Sequence, residues 1–220
     1  KTPYSTEKDI IPLAVIAQVP MLLVANPNLG AKNIAELIAL AKKEPDTLSY
    51  ASFGNGSASH LAGALLTNQA GIKITHIPYK GGAPAITDTL SGQVPMSFSA
   101  FGVALPHVKS GKLIALGTTG PSRAKLLPDV PAIEESGNLK GYEMSIVYAV
   151  WAPAGMPAPI ISRLTKALEQ IVASSAFKEK VTNDGGEVMN LSTPVESNTY
   201  FQKEMQRLSK IVKDGNIKAD

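Results

Sequence analysis

The chain has 220 residues, 44% apolar and 18% charged, which places it among folded proteins of one large or two small domains. It contains no cysteine, which excludes disulfides, thiolate nucleophiles and cysteine-held metals. The net charge of +3 resides in residues 1–120, with nine Lys/Arg against six Asp/Glu. Residues 121–220 carry twelve of each. No basic run is interleaved with aromatics, so nucleic acid is not an expected partner.

The opening Lys1-Thr-Pro-Tyr4 shows neither an initiator Met nor a signal peptide, so localisation is not read from it. Ile10 to Pro27 is the longest apolar region. Pro12, Gln18 and Pro20 interrupt it, so it reads as two strands, Leu13–Val19 and Met21–Ala25, and not as a membrane span. Asn33 with Glu36 resembles a capping box for a helix through Leu37, Leu40 and Ala41. Leu48–Phe53 is the next strand. A Gly/Ser/Asn turn follows, then a helix with Leu61, Leu65 and Leu66 on its buried stripe, stopping at Gly71. Lys73–Pro78 is a strand, and the turn Tyr79-Lys-Gly-Gly82 opens a helix ending at Gly92. Val94–Ser99 is a strand, Phe101–Ser110 a helix, and Lys112–Thr119 a closing strand.

After Thr119 the pattern changes. Pro121–Pro131 is a proline-rich loop, Ala132–Ser136 a short helix and Tyr142–Trp151 an apolar strand. Pro157 and Pro159 introduce a helix with Ile160, Leu164, Leu168 and Ile171 on one face. A short helix with Phe177 and Val181, a strand Glu187–Asn190, and a long helix follow. That last helix is expected to hold Phe201, Met205, Leu208 and Val212 inside. Trp151 is expected at a domain junction.

The β-α alternation of residues 20–120 predicts a parallel sheet covered by helices, with ligands beyond the carboxyl ends of its strands. Three strand ends meet there: the turns at 54–59, at 79–82 and at Ser99-Ala-Phe101. Each opens a helix, whose first N–H groups and positive dipole end suit an anion. Between Leu48 and Val108 only Lys73, Lys80 and Asp88 are charged, which suits a small anion held by backbone dipoles.

Gly54-x-Gly56-x-x-Ser59 meets part of a dinucleotide fingerprint, but no acid stands at the end of the next strand and no phosphate-loop Gly-Lys-Ser/Thr occurs. Ser57 or Ser59 beside His60 could suggest a nucleophile and base. No nucleophile-elbow motif is present, however, and hydroxyls serving as caps and ligand donors fit better. His60, His76 and His107 form no metal pair at helical spacing; each is read as structural, with His60 also placed to touch a ligand. Dipole donors without an acid–base pair suit capture of a carboxylate without turnover.

Tyr50-Ala-Ser-Phe-Gly-Asn-Gly-Ser-Ala-Ser-His-Leu-Ala-Gly63 resembles a hallmark of the Bug-type receptors of tripartite tricarboxylate transporters. His76-Ile-Pro-Tyr-Lys-Gly-Gly82, Leu105-Pro-His-Val-Lys-Ser-Gly-Lys-Leu113, Leu127-Pro-Asp-Val-Pro131 and Trp151-Ala-Pro-Ala-Gly-Met-Pro157 are similar to further motifs of that family, in order. The resemblance implies an α/β, type II periplasmic-binding-protein fold of two lobes joined by a hinge. The complete lobe is expected at 20–120, and a partial first lobe with the hinge at 1–19 plus 121–220. Relatives begin with a β-α-β-α unit that this sequence starts after.

The resemblance also implies a periplasmic receptor that binds a small organic carboxylate and passes it to integral membrane transporter subunits, with no cofactor, no metal and no catalysis. A ligand sensor serving a signalling receptor is the alternative, and a nucleotide-binding enzyme domain a further one. Asn55, Gly56, Ser57, Ser59, Tyr79, Gly81, Ser99 and Phe101 are the candidate ligand residues. Many relatives have Asp at the position of Ser99, so a plain acid without an amino group is expected. Loss of the Ser57 or Ser59 hydroxyl is expected to weaken binding. An exposed apolar patch is expected too, leading to self-association or to association with the missing N-terminal segment.

Overall fold

A computed structural model describes residues 3–217. Strand β1 (Ile10–Ala25) runs unbroken through Pro20, contrary to the two strands expected. Its pairing with β7 (Glu187–Leu191) ends at Gln18, and its pairing with β4 (Met96–Ala100) starts at Met21. Pro20, which has no N–H to give, stands between those two ladders.

Two compact units share β1. One comprises the chain up to Val19 with Val147–Leu208; the other comprises Pro20–Ile146 with the chain from Ser209. In the second, β2 (Ser49–Ser52) is parallel to β3 (Thr75–Pro78) and to β4. β1 is antiparallel to β4 and to β5 (Ile114–Thr118), giving the order β3-β2-β4-β1-β5. The all-parallel sheet expected is therefore mixed. The crossovers α2 (Ala58–Ala70), α3 (Gly82–Ser91) and α4 (Phe101–Lys109) return the chain to one end of the sheet, so β2 to β5 run one way. β1, which arrives from the other unit, runs the other way.

Local signals explain the helices. Asn33 caps α1 (Ile34–Lys43) by accepting the Glu36 amide at 2.9 Å, and the Glu36 carboxylate reaches back to the Lys32 amide at 2.8 Å. Gly71 and Gly92 close α2 and α3 in left-handed conformations. Leu65 is half-buried, while Leu61 and Leu66 are buried. Leu22 and Val24 of β1 form the core with Ile86, Phe101, Ala104 and Leu113.

Residues 121–146 belong to the same compact unit as 20–120. Thr118 bridges to Ala132, and the Tyr142 hydroxyl donates to Ala62 O at 2.9 Å. Long-range bonds of this kind are invisible to local patterning.

In the first unit, β6 (Ser145–Pro153) and β7 each pair with β1. The ring of Trp151 lies 4.5 Å from that of Phe201 on α7 (Pro194–Asp214), so its partner here is a helix of the same unit. Helix α5 (Ala158–Ala173) leaves Ile160 49%, Leu164 39% and Ile171 51% exposed. On α7, Met205 and Val212, expected inside, are exposed. The spacing is helical as expected, but burial needs a partner surface, and none of the described residues covers this side. Helix α6 (Ser175–Asn183) is the short helix expected to carry Val181, and it buries that residue. Among the described residues no helix is long and apolar enough to cross a membrane.

Candidate functional site

The carboxyl ends of β3, β2 and β4 lie side by side, and α2, α3 and α4 start from them. None of these helices has an acid in its first turn. Helices α3 and α4 begin at Gly81 and Ala100 with no side-chain cap. Three positive helix ends therefore share one edge of the sheet.

The 54–59 turn is held largely by its own groups. Ser57 caps α2: its Oγ accepts the His60 amide at 3.4 Å and donates to Gly54 O at 2.6 Å. Ser59 is fully buried; its Oγ accepts the Phe53 amide at 2.8 Å and lies 2.9 Å from Ser57 Oγ. Both hydroxyls, expected as ligand donors, are engaged within the turn itself. Helical geometry leaves the Ala58 and Ser59 amides without an intrahelical acceptor. Asn55 and Gly56 are exposed at the tip.

The neighbouring turn is laced to this one. The Tyr79 amide donates to Ser52 O and the Gly81 amide to Phe53 O, both at 3.1 Å. Gly54 has φ 133°, and a Cβ there would meet Tyr79 O at 3.2 Å, so only glycine lets the turns approach. The Tyr79 ring packs against the cluster of Ala51, Ala85 and Val94, and its hydroxyl donates to Asp88 Oδ2 at 2.7 Å. Burial and that carboxylate push its pKa up to about 12. The Tyr79 ring is thus half-buried, held by packing and by its bond to Asp88.

Ser99 and Phe101 also differ from expectation. The Phe101 ring is fully buried in the core. Ser99 is 1% exposed, and its Oγ has no hydrogen-bond partner; Ser97 and Ser145 share that condition. Ser99 pairs with Leu22 across the ladder, which puts its side chain on the core face of the sheet. Both side chains are thus buried, and the 99–101 corner exposes an uncapped start of α4.

Sequence reasoning missed the cluster beneath the turn. Ser52 Oγ lies 2.6 Å from His76 Nε2, and the rings of His60 and His76 are stacked at 3.7 Å. Strand alternation was the available signal, since Tyr50 and Ser52 share a face and Tyr50 pairs with His76. Among the described residues no group of three His, Asp or Glu could hold a metal.

The fold is that of the type II periplasmic binding proteins, and the edge where the three helices start lies on one unit. The family described as tripartite tricarboxylate transporter family receptor matches residues 1–217, and the chain belongs to it. An Agrobacterium vitis protein named for the TAR-I ttuE-ttuC' intergenic region is 33% identical over 96% of this chain and 61% of that relative. Protein BugT of Bordetella pertussis is 32% identical over 98% of this chain and 66% of its own length. The chain therefore spans under two thirds of these relatives. An R. palustris protein solved with adipate superposes with a TM-score of 0.90 at 30% identity, over 99% of this chain and 72% of that one. The periplasmic binding protein BugD gives 0.86 at 33% identity, over 96% and 71%. MatC from Rhodopseudomonas palustris with bound malate gives 0.85 at 28%, over 96% and 72%.

Proposed function

We propose that this chain captures a small organic carboxylate at the carboxyl edge of β3-β2-β4, without catalysis, and delivers it to integral membrane transporter subunits from the periplasm. The observation that carries this reading is the convergence of three helix N-termini with no acid in any first turn, two of them lacking a side-chain cap. The ligand takes backbone N–H groups at the starts of α2, α3 and α4, near Asn55, Gly56 and Gly81. The hydroxyls of Ser57 and Ser59 hold that geometry. The adipate and malate bound by two similar proteins support the ligand class. The exposed apolar face of α5 supports a further element: more polypeptide, of the kind its longer relatives carry, covers that face.

A thermal-shift panel of adipate, malate, succinate and citrate against phosphate and NAD tests the reading. Stabilisation by carboxylates alone is expected. A rise only with phosphate or NAD overturns it in favour of a nucleotide site.

A further inference from the structure

The imidazoles of His60 and His76 lie face to face, with ring centres 3.7 Å apart and planes within 9°. His60 stands in the first turn of α2, and its Nδ1 accepts the Gly56 amide at 3.1 Å. From β3, His76 brings Nε2 to 2.6 Å from Ser52 Oγ on β2. Tyr50, on the same face of β2, donates its hydroxyl to His60 O at 3.1 Å and sets its ring 5.1 Å from that of His76. Two strands and a helix thus hold one imidazole in one pose, and its nitrogen holds the tip of the binding turn.

We propose that His60 is a positioning residue for the carboxylate-binding turn: its neutral Nδ1 fixes Gly56, the His76 ring fixes the imidazole, and protonation of His60 releases the turn and weakens capture. The proposal rests on the carboxylate reading above. A ring nitrogen that accepts an N–H carries no proton, so His60 is the Nε2–H tautomer. Protonation turns Nδ1 into a donor facing another donor, and the bond to Gly56 is lost. The freed turn must then be ordered when ligand binds, which lowers affinity. A charged His60 also sits against a second imidazole, so charging both is opposed.

Tyr50 from β2 lies beside this pair, and the Tyr142 hydroxyl reaches α2 at Ala62 O. Strand β4 offers Met96 and Phe98 on that side and no ionisable group. Of the charged residues between Leu48 and Val108, Lys73 lies 3.8 Å from Asp46 and Asp88 accepts from Tyr79. Lys80 is exposed on the β3–α3 turn.

The test is nitrogen NMR of the His60 ring and hydrogen exchange of the Gly56 amide from pH 8 to pH 6. Calorimetry with adipate and malate accompanies it on wild type, His60→Ala and His60→Asn. Asparagine places Oδ1 where Nδ1 stands and does not titrate. The expected result is an Nε2–H tautomer at pH 8, with Gly56 protection lost along the His60 titration. Affinity should fall about fivefold or more in His60→Ala, the scale of one lost hydrogen bond, and recover to within about twofold in His60→Asn. Wild type should lose affinity on acidification where His60→Asn does not. An unprotected Gly56 amide at pH 8, failure of Asn to rescue, or tighter binding at pH 6 overturns the proposal. If neither acid binds any form while Gly56 follows His60, the lock stands and the carboxylate reading falls.

Discussion

Thr119 and Met21 hold each other in both directions. The Met21 amide donates to Thr119 Oγ1 at 2.8 Å, and the Thr119 amide donates to Met21 O at 2.9 Å. The same hydroxyl donates to Met144 O at 2.5 Å, and the Met144 amide returns to Thr119 O at 2.9 Å. One buried side chain thus ties β1, the end of β5 and the approach to β6, next to the point where β1 changes partners. Thr119→Val keeps the shape but strands the Met21 amide and a buried carbonyl. Stability should drop by roughly 1–3 kcal/mol per stranded group. Urea unfolding checks this as a lower midpoint at unchanged slope.

Gly63 faces the Tyr50 ring so closely that a Cβ would lie 2.1 Å from Tyr50 Cζ. Gly63→Ala should force Tyr50 aside and break its bond to His60 O. The expected loss is at the top of the roughly 1–3 kcal/mol range for overpacking, or beyond it. A thermal melt near that of wild type would show that the contact yields.

Burial raises the pKa of Tyr50, and burial together with Tyr50 raises that of Tyr142 well above the tyrosine range. The folded state therefore keeps both phenols protonated where the unfolded chain releases those protons. Their contribution is fully present below the ordinary tyrosine pKa of about 10 and is lost as pH rises above it. Urea midpoints should be flat from pH 8 to about 10 and fall beyond. Tyr142→Phe should lower stability at pH 8, through loss of the bond to Ala62, yet flatten the alkaline decline.

Ser99→Ala removes a buried hydroxyl that has no partner. Stability should stay level or rise by about 1 kcal/mol. Because Ser99 is closed off, adipate affinity should hold within about twofold. A tenfold loss in calorimetry would return Ser99 to the ligand site, as the family resemblance first implied.

The exposed apolar face of α5 predicts association. Sedimentation velocity should show concentration-dependent self-association. Ile160→Asp with Ile171→Asp should reduce it at little cost in stability, since both side chains are already about half exposed. A clean monomer at every concentration would remove this face as an interaction surface.

What the sequence determined by itself is local or ordered along the chain. Ser57 caps α2 and Asn33 caps α1 through atoms three residues away, and Gly71 and Gly92 end helices by left-handed geometry. Such interactions are written in neighbouring residues, and so is the run of motifs that marks the family. The tertiary structure decided where the hydroxyls go: Ser59 bonds to Phe53 and lies against Ser57, and Ser99 is sealed against the core. It decided that β1 opposes its neighbours, that Phe101 is core, and that the stripe on α5 lies bare. It also placed His60 on His76. Those outcomes depend on pairings between distant segments, such as Tyr50 with His76 and Tyr142 with Ala62. Hydrophobic period reports that a face is apolar and says nothing about which surface, if any, comes to cover it.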